Sequence, residues 1–144
     1  MNELKKIVNQ YLGDKFVLVD LTVNDASGFI RITIDSEKVV TLNDTSSITK
    51  AILKSEEIDQ LYPLGFRLEI TTPGIDHPLS FPFQYKKNIN RRLTLRLNKD
   101  GVEKLLVGEI LNADDLGIEI LNKEARVAIP YDQIISANVN ISFK

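Results

Sequence analysis

Between Thr72 and Pro82 the chain carries Pro73, Pro78 and Pro82, so no regular hydrogen-bond ladder can run through it. Each proline lacks the amide donor that a strand or helix interior requires. The segment cuts the 144 residues into two stretches of different character. The first mixes helical and strand periodicity; the second is strand-like throughout. Such a length suits one medium domain or two small ones. The boundary is expected near residue 82, giving domains 1–82 and 83–144. The linker Ser80-Phe81-Pro82-Phe83 is aromatic rather than Gly/Ser-rich, which predicts that it packs down instead of swivelling.

In the first stretch, Leu4, Ile7, Val8, Tyr11 and Leu12 form one apolar stripe at helical spacing, ended by Gly13. Phe16 to Val23 reads as a strand with Val17, Val19, Leu21 and Val23 on one face. After the turn cluster from Asn24 to Gly28, Ile30, Ile32 and Ile34 alternate with Arg31, Thr33 and Asp35. The two runs predict a hairpin. Thr41 with Asp44 three residues on resembles a capping box. Ile48, Ala51 and Ile52 then predict a helix over 43–55. The polar connection to Pro63 has room for a helical turn, and Phe66, Leu68 and Ile70 alternate inward in another strand. Pro73-Gly74 predicts a tight turn, with Gly74 at positive φ.

In the second stretch, Leu93, Leu95 and Leu97 alternate with polar residues, and Asp100-Gly101 signals a hairpin. Gly108 suits a bend in a curved strand. Ile118 to Leu121, Val127 to Ile129 and Ile135 to Ile141 complete five strands, the last placing Ile135, Ala137, Val139 and Ile141 on one face. The expected class is α+β. An N-terminal α/β domain (helix-strand-strand-helix-strand) precedes a C-terminal five-stranded β-barrel of the Sm or SH3 type.

Composition removes several chemistries. There is no cysteine, which excludes disulfides, zinc-thiolate sites, iron–sulfur clusters and a thiol nucleophile. One histidine leaves no multi-histidine metal site. No cofactor and no metal are expected. No apolar run reaches membrane-spanning length, and the first residues, Met-Asn-Glu-Leu-Lys-Lys, lack a signal-peptide core, so export is not expected. There is no Gly-x-Ser-x-Gly nucleophile elbow, no P-loop and no Gly-x-Gly-x-x-Gly. Asp76-His77 is the one carboxylate–imidazole neighbour pair, and adjacent residues seldom reach acid–base geometry. No catalytic residue is assigned.

Charge is the informative signal. The net charge is −2, yet residues 84–106 hold seven cations and two acids. Acidic flanks lie on both sides. Such a local field can steer an anionic partner whatever the total charge. Lys86, Lys87, Arg91, Arg92 and Arg96 are the candidate contacts to RNA phosphates. Tyr85 fits either stacking on a base or packing at the domain junction. The ordinary alternative for the whole segment is that its cations keep an exposed strand soluble.

The run Phe66-Arg67-Leu68-Glu69-Ile70-Thr71-Thr72-Pro73-Gly74-Ile75-Asp76-His77-Pro78-Leu79 is similar to the signature of the bacterial ribosome maturation factor RimP family. That signature reads approximately Leu-Glu-Val-Ser-Ser-Pro-Gly-Leu-Asp-Arg-Pro-Leu. Val19-Asp20, Ile30-Arg31-Ile32 and Ile34-Asp35 fit its early pattern. The resemblance implies an α/β domain joined to an Sm-like barrel. It implies a cytoplasmic, non-catalytic factor that binds the immature small ribosomal subunit, touching 16S rRNA and a ribosomal protein near the decoding centre. Thr72, Pro73, Gly74, Asp76, His77 and Pro78 are then the interdomain junction. His77 stands where the family usually has Arg, which weakens any fixed anion contact there at neutral pH. Asn90 stands where it often has Gly, and Asn tolerates positive φ better than most residues.

The function expected is binding of the immature 30S subunit and help with its assembly, without bond chemistry. The rival is a protein–protein adaptor that adds a partner strand or peptide to the barrel. A monomer is expected, since there is no heptad seam, and no membrane partner.

Overall fold

The computed structural model describes residues 2–140. Among them no helix is long and apolar enough to cross a membrane. The chain divides into two compact units, Met1–Pro73 and Gly74–Lys144. The division falls after Pro73, ahead of the boundary expected near residue 82. The reason is hydrogen bonding. The Leu79 amide donates to the Ala137 carbonyl at 2.8 Å, and Asn138 Nδ2 donates to the Asp76 carbonyl at 3.2 Å, so residues 76–79 are tied to the last strand.

The first unit runs α1 (Asn2–Leu12), β1 (Val17–Asn24), β2 (Phe29–Asp35), α2 (Leu42–Leu53), α3 (Glu56–Leu61) and β3 (Arg67–Thr71). Its sheet has the order β1-β2-β3, antiparallel between β1 and β2 and parallel between β2 and β3. Leu4, Ile7, Val8 and Leu12 of α1, Ile48 and Ile52 of α2 and Ile58 of α3 pack with Ile30, Ile32 and Ile34 in one core. Tyr11, assigned to the α1 stripe, is exposed instead. Thr41 caps α2 as expected: its side chain accepts from the Asp44 amide at 3.1 Å, and Asp44 Oδ2 accepts from the Thr41 amide at 2.9 Å. The helical turn after residue 55 is a capped helix, with Ser55 Oγ accepting from the Ile58 amide.

The single-face reading of β1 fails at Val19. The register skips a residue between Leu18 and Asp20. Such a bulge reverses the side-chain alternation. Phe16 and Leu18 face the core before it and Leu21 and Val23 after it, while Val17 and Val19 stay outside the core cluster.

The second unit runs α4 (Pro82–Lys86), β4 (Arg92–Lys99), β5 (Val102–Ala113), β6 (Gly117–Asn122), β7 (Ala125–Pro130), a 3-10 turn (Tyr131–Gln133) and β8 (Ile134–Val139). Asp100 and Gly101 both take positive φ, making the two-residue hairpin that their sequence predicts. The sheet order is β7-β6-β5-β4-β8, with every neighbouring pair antiparallel. The strands form a sheet rather than the closed barrel expected. β7 and β8 are its opposite edges, and no ladder joins them among the described residues. β7 ends at Pro130, which has no amide to donate, and the 3-10 turn then carries the chain away.

Gly108 has no room for a side chain: a Cβ there would meet Ile120 Cγ2 and lie 2.6 Å from the Leu121 carbonyl oxygen. The inner face packs Leu93, Leu95, Leu97, Ile110, Ile118, Ile120, Ile129, Ala137 and Val139 around Tyr85. Ile135, expected beside Ala137, is 44% exposed. The register jumps between Arg96 and Leu97, pairing them with Ser136 and Ile134, so Ile135 is the bulged residue and Ile134 faces the core. Ile141, assigned to this strand, lies outside the described residues.

Candidate nucleic-acid interface

The basic segment begins on α4. Pro82 occupies the first turn, where a missing amide costs nothing. Gln84 is buried and accepts through Oε1 from the amides of Ser80 and Phe81, at 2.7 and 3.0 Å, which fixes the entry to the helix. One turn on, Asn88 Nδ2 donates to the Gln84 carbonyl at 2.7 Å and holds the exit. Between these two anchors α4 presents Lys86, with Lys87 as its C-cap, to solvent.

The chain then passes through Asn90 at φ 75, so the residue standing in place of glycine adopts the left-handed conformation. The Arg91 amide donates to the Asn88 carbonyl at 3.0 Å, and the Ile110 amide donates to the Arg91 carbonyl at 2.9 Å. The loop bearing Arg91 and Arg92 is thus fastened to the middle of β5. Along β4, Leu93, Leu95 and Leu97 enter the core and the side chains between them face outward, including Thr94 and Arg96. Arg92 and Arg96 share that outer face, roughly 13 Å apart along the strand at a rise of about 3.3 Å per residue.

All five candidate cations are exposed. They differ in what they face. Lys86 pairs with Asp115 at 3.2 Å and Arg96 with Glu103 at 3.5 Å. Exposed pairs of this kind are worth only about 0–1 kcal/mol and are screened by salt, so a phosphate can displace the carboxylate. Arg91 and Arg92 have no carboxylate within ion-pair distance among the described residues. No ion pair among the described residues compensates their charge.

Tyr85 does not belong to the interface. It is 2% exposed, sits 5.1 Å from the Tyr131 ring, and its hydroxyl donates to the Leu79 carbonyl at 3.4 Å. Burial, with a smaller contribution from Tyr131, pushes its phenol up to about 12. The ring packs in the core and is not available to a base.

The Thr72–Pro78 run is also resolved. The turn expected at Pro73-Gly74 lies two residues later: the His77 amide donates to the Gly74 carbonyl at 2.9 Å, so Ile75 and Asp76 occupy its centre. Gly74 does not take positive φ. A Cβ there would lie 2.8 Å from Asp76 Oδ1, the tip of an exposed side chain that can swing aside. His77 Nδ1 lies 3.0 Å from the Pro78 carbonyl and donates to it, which leaves Asp76 without the imidazole that an acid–base pair requires.

The tie between Asn138 and Asp76 escaped the sequence reading, because a side-chain bond spanning 62 residues leaves no local trace.

The pattern describing the RimP N-terminal domain matches residues 4–76. The chain is 34% identical over 143 residues to the ribosome maturation factor RimP of Christiangramia forsetii, covering 88% of this chain and 86% of that protein. It is 32% identical over 129 residues to the protein of the same name from Flavobacterium psychrophilum, covering 86% and 78%. With a matching domain pattern and relatives of this similarity along most of both lengths, the chain belongs to the RimP family of ribosome maturation factors.

Proposed function

We propose that this protein binds the immature small ribosomal subunit and assists its assembly without making or breaking a covalent bond. Lys86, Lys87, Arg91, Arg92 and Arg96 contact phosphates of 16S rRNA, and a ribosomal protein near the decoding centre is the second partner. The protein acts as a monomer in the cytoplasm. The observation that carries this reading is the exposed pair Arg91 and Arg92, held by an anchored turn at the start of β4 with no carboxylate within ion-pair distance among the described residues. Phosphate contacts need cations whose position is fixed by the fold.

The second unit is read as an Sm-like module, supported by five consecutive antiparallel strands and a long β5 that serves two ladders, with a register shift between Ile110 and Asn112. Thr72, Pro73, Gly74, Asp76, His77 and Pro78 link the units, and their two prolines and hydrogen-bonded turn restrict the backbone there.

Co-sedimentation of the purified protein with free small subunits, free large subunits and joined ribosomes tests the reading. Selective association with free small subunits is expected. With about four cations on phosphates, log K should fall against log salt with a slope of roughly −3 to −4. Binding that ignores salt would contradict the phosphate contacts.

A further inference from the structure

Natural sheets seldom leave a long apolar edge open, because its free amides and carbonyls pair with any extended chain. The edges of the five-stranded sheet are protected unequally. Beside β8 run residues 76–79, bonded to it through Leu79 and Asn138. β7 is short, ends at Pro130, and exposes Ala125, Arg126 and Ala128 rather than large apolar side chains. The third edge lies within β5. That strand pairs with β4 from Val102 to Glu109 but with β6 only from Glu109 to Ala113, because β6 turns away at Asn122.

The parity of β5 follows from its bonds. Ile110 bonds toward the β4 side, donating to Arg91 and accepting from Asn90. Residues of the other parity, namely Glu103, Leu105 and Val107, therefore aim their amides and carbonyls away from β4. The Val107 carbonyl meets the Asn122 side chain at 2.9 Å. Before it, the β6 ladder supplies no partner. The side chains here are apolar and in solvent: Val102 is 66% exposed, Leu105 69% and Val107 38%. A shallow cleft beside them is lined by Leu105, Val107 and Leu121 with Arg92, Lys123 and Glu109.

We propose that the β5 edge from Glu103 to Val107 receives an extended segment of a partner protein as an added strand. Main-chain bonds to Glu103, Leu105 and the Val107 amide hold it. Apolar residues at alternate positions cover Leu105 and Val107, and a terminal carboxylate meets Lys123. A second copy of this chain pairing through the same edge is the competing occupant, and the sedimentation arm of the test separates it. RNA offers no ladder for the free amides. The proposal goes beyond the phosphate reading and does not depend on it.

The test uses the full chain and a fluorescein-labelled peptide that alternates Thr with Val and ends in Asp-Glu. Fluorescence anisotropy gives affinity, and amide hydrogen exchange locates the site. Saturable binding is expected, with slowed exchange at Leu105 and Val107. Leu105→Lys, an exposed substitution, should weaken binding ~tenfold or more, a change of about 1.4 kcal/mol, with the circular dichroism unchanged. The same peptide N-methylated at alternate amides should not bind. Absence of saturable binding, or binding indifferent to both changes, overturns the proposal. So does a concentration-dependent dimer in sedimentation whose Leu105 exchange is already slow without peptide. Arg91→Glu serves as the separating control: it should weaken association with ribosomal particles and leave peptide binding intact.

Discussion

The Asn90 amide donates to the Ile110 carbonyl across 2.7 Å, and this one bond joins the turn that presents Arg91 and Arg92 to the centre of β5. Asn90 reaches that carbonyl only at φ 75. For an ordinary L-residue that conformation costs about 1–2 kcal/mol. Asn90→Ala should therefore lower stability by about that amount in urea titrations. Asn90→Gly should lie within about 0.5 kcal/mol of the parent. Equal midpoints for the two variants would contradict this account of the turn.

The capping box of α2 makes a prediction about acid. Bonds from the Thr41 amide and hydroxyl, chiefly the amide, hold the Asp44 carboxyl below its ordinary value of 3.8. A depressed carboxyl stabilises the fold above its unfolded value, and that contribution disappears as pH falls through the folded one. Thr41→Ala should cost about 1 kcal/mol at neutral pH. Asp44→Ala, which removes the carboxylate itself, should carry a deficit that shrinks as pH falls below ~3.8, where the parent's protonated carboxyl gives up the same bond from the Thr41 amide. Acid titrations of the Asp44 variant and the parent, followed by circular dichroism, check it.

Tyr85 separates core from interface. Tyr85→Ala should destabilise by about 3–5 kcal/mol, as loss of a buried aromatic does. Tyr85→Phe gives up one long hydroxyl bond and should cost less than about 1.5 kcal/mol. Ribosome binding by the Phe variant should equal that of the parent, since the ring faces the core. Ultraviolet titration should show one phenol ionising near 12. A phenol raised in the folded state adds stability below its unfolded value near 10, and this is lost as pH rises toward 12. A Tyr85 that ionised with the exposed tyrosines would contradict its burial.

Much of this architecture is written in local pattern. The stripe of Leu4, Ile7, Val8 and Leu12, the Thr41–Asp44 box and the Asp100-Gly101 turn each act over a few residues, so their signals survive in the sequence. Alternation misleads where a bulge intervenes. Val19 and Ile135 each look like members of an inward set, and each is the extra residue that reverses it. A bulge is a property of two strands, and one strand's sequence does not announce it.

The same limit governs the site. The cations were legible as a charge run, because charge needs no partner to be counted. Which of them keep a carboxylate depends on Asp115 and Glu103, brought near by hairpins. Tyr85 looked equally suited to stacking or packing, and only the arrangement of Tyr131 and Leu79 around it decides. Sheet closure was not legible either, since it depends on how β7 and β8 meet rather than on how many strands there are.

The central claim is that Arg91 and Arg92 anchor the protein to the small subunit through phosphates. The double variant Arg91→Glu, Arg92→Glu, sedimented with immature small subunits across a salt series, tests it most directly. The account predicts affinity reduced by at least about a hundredfold at low salt, with the slope of log K against log salt shallower by about 2. Unchanged affinity and slope, with the variant folded, would contradict it.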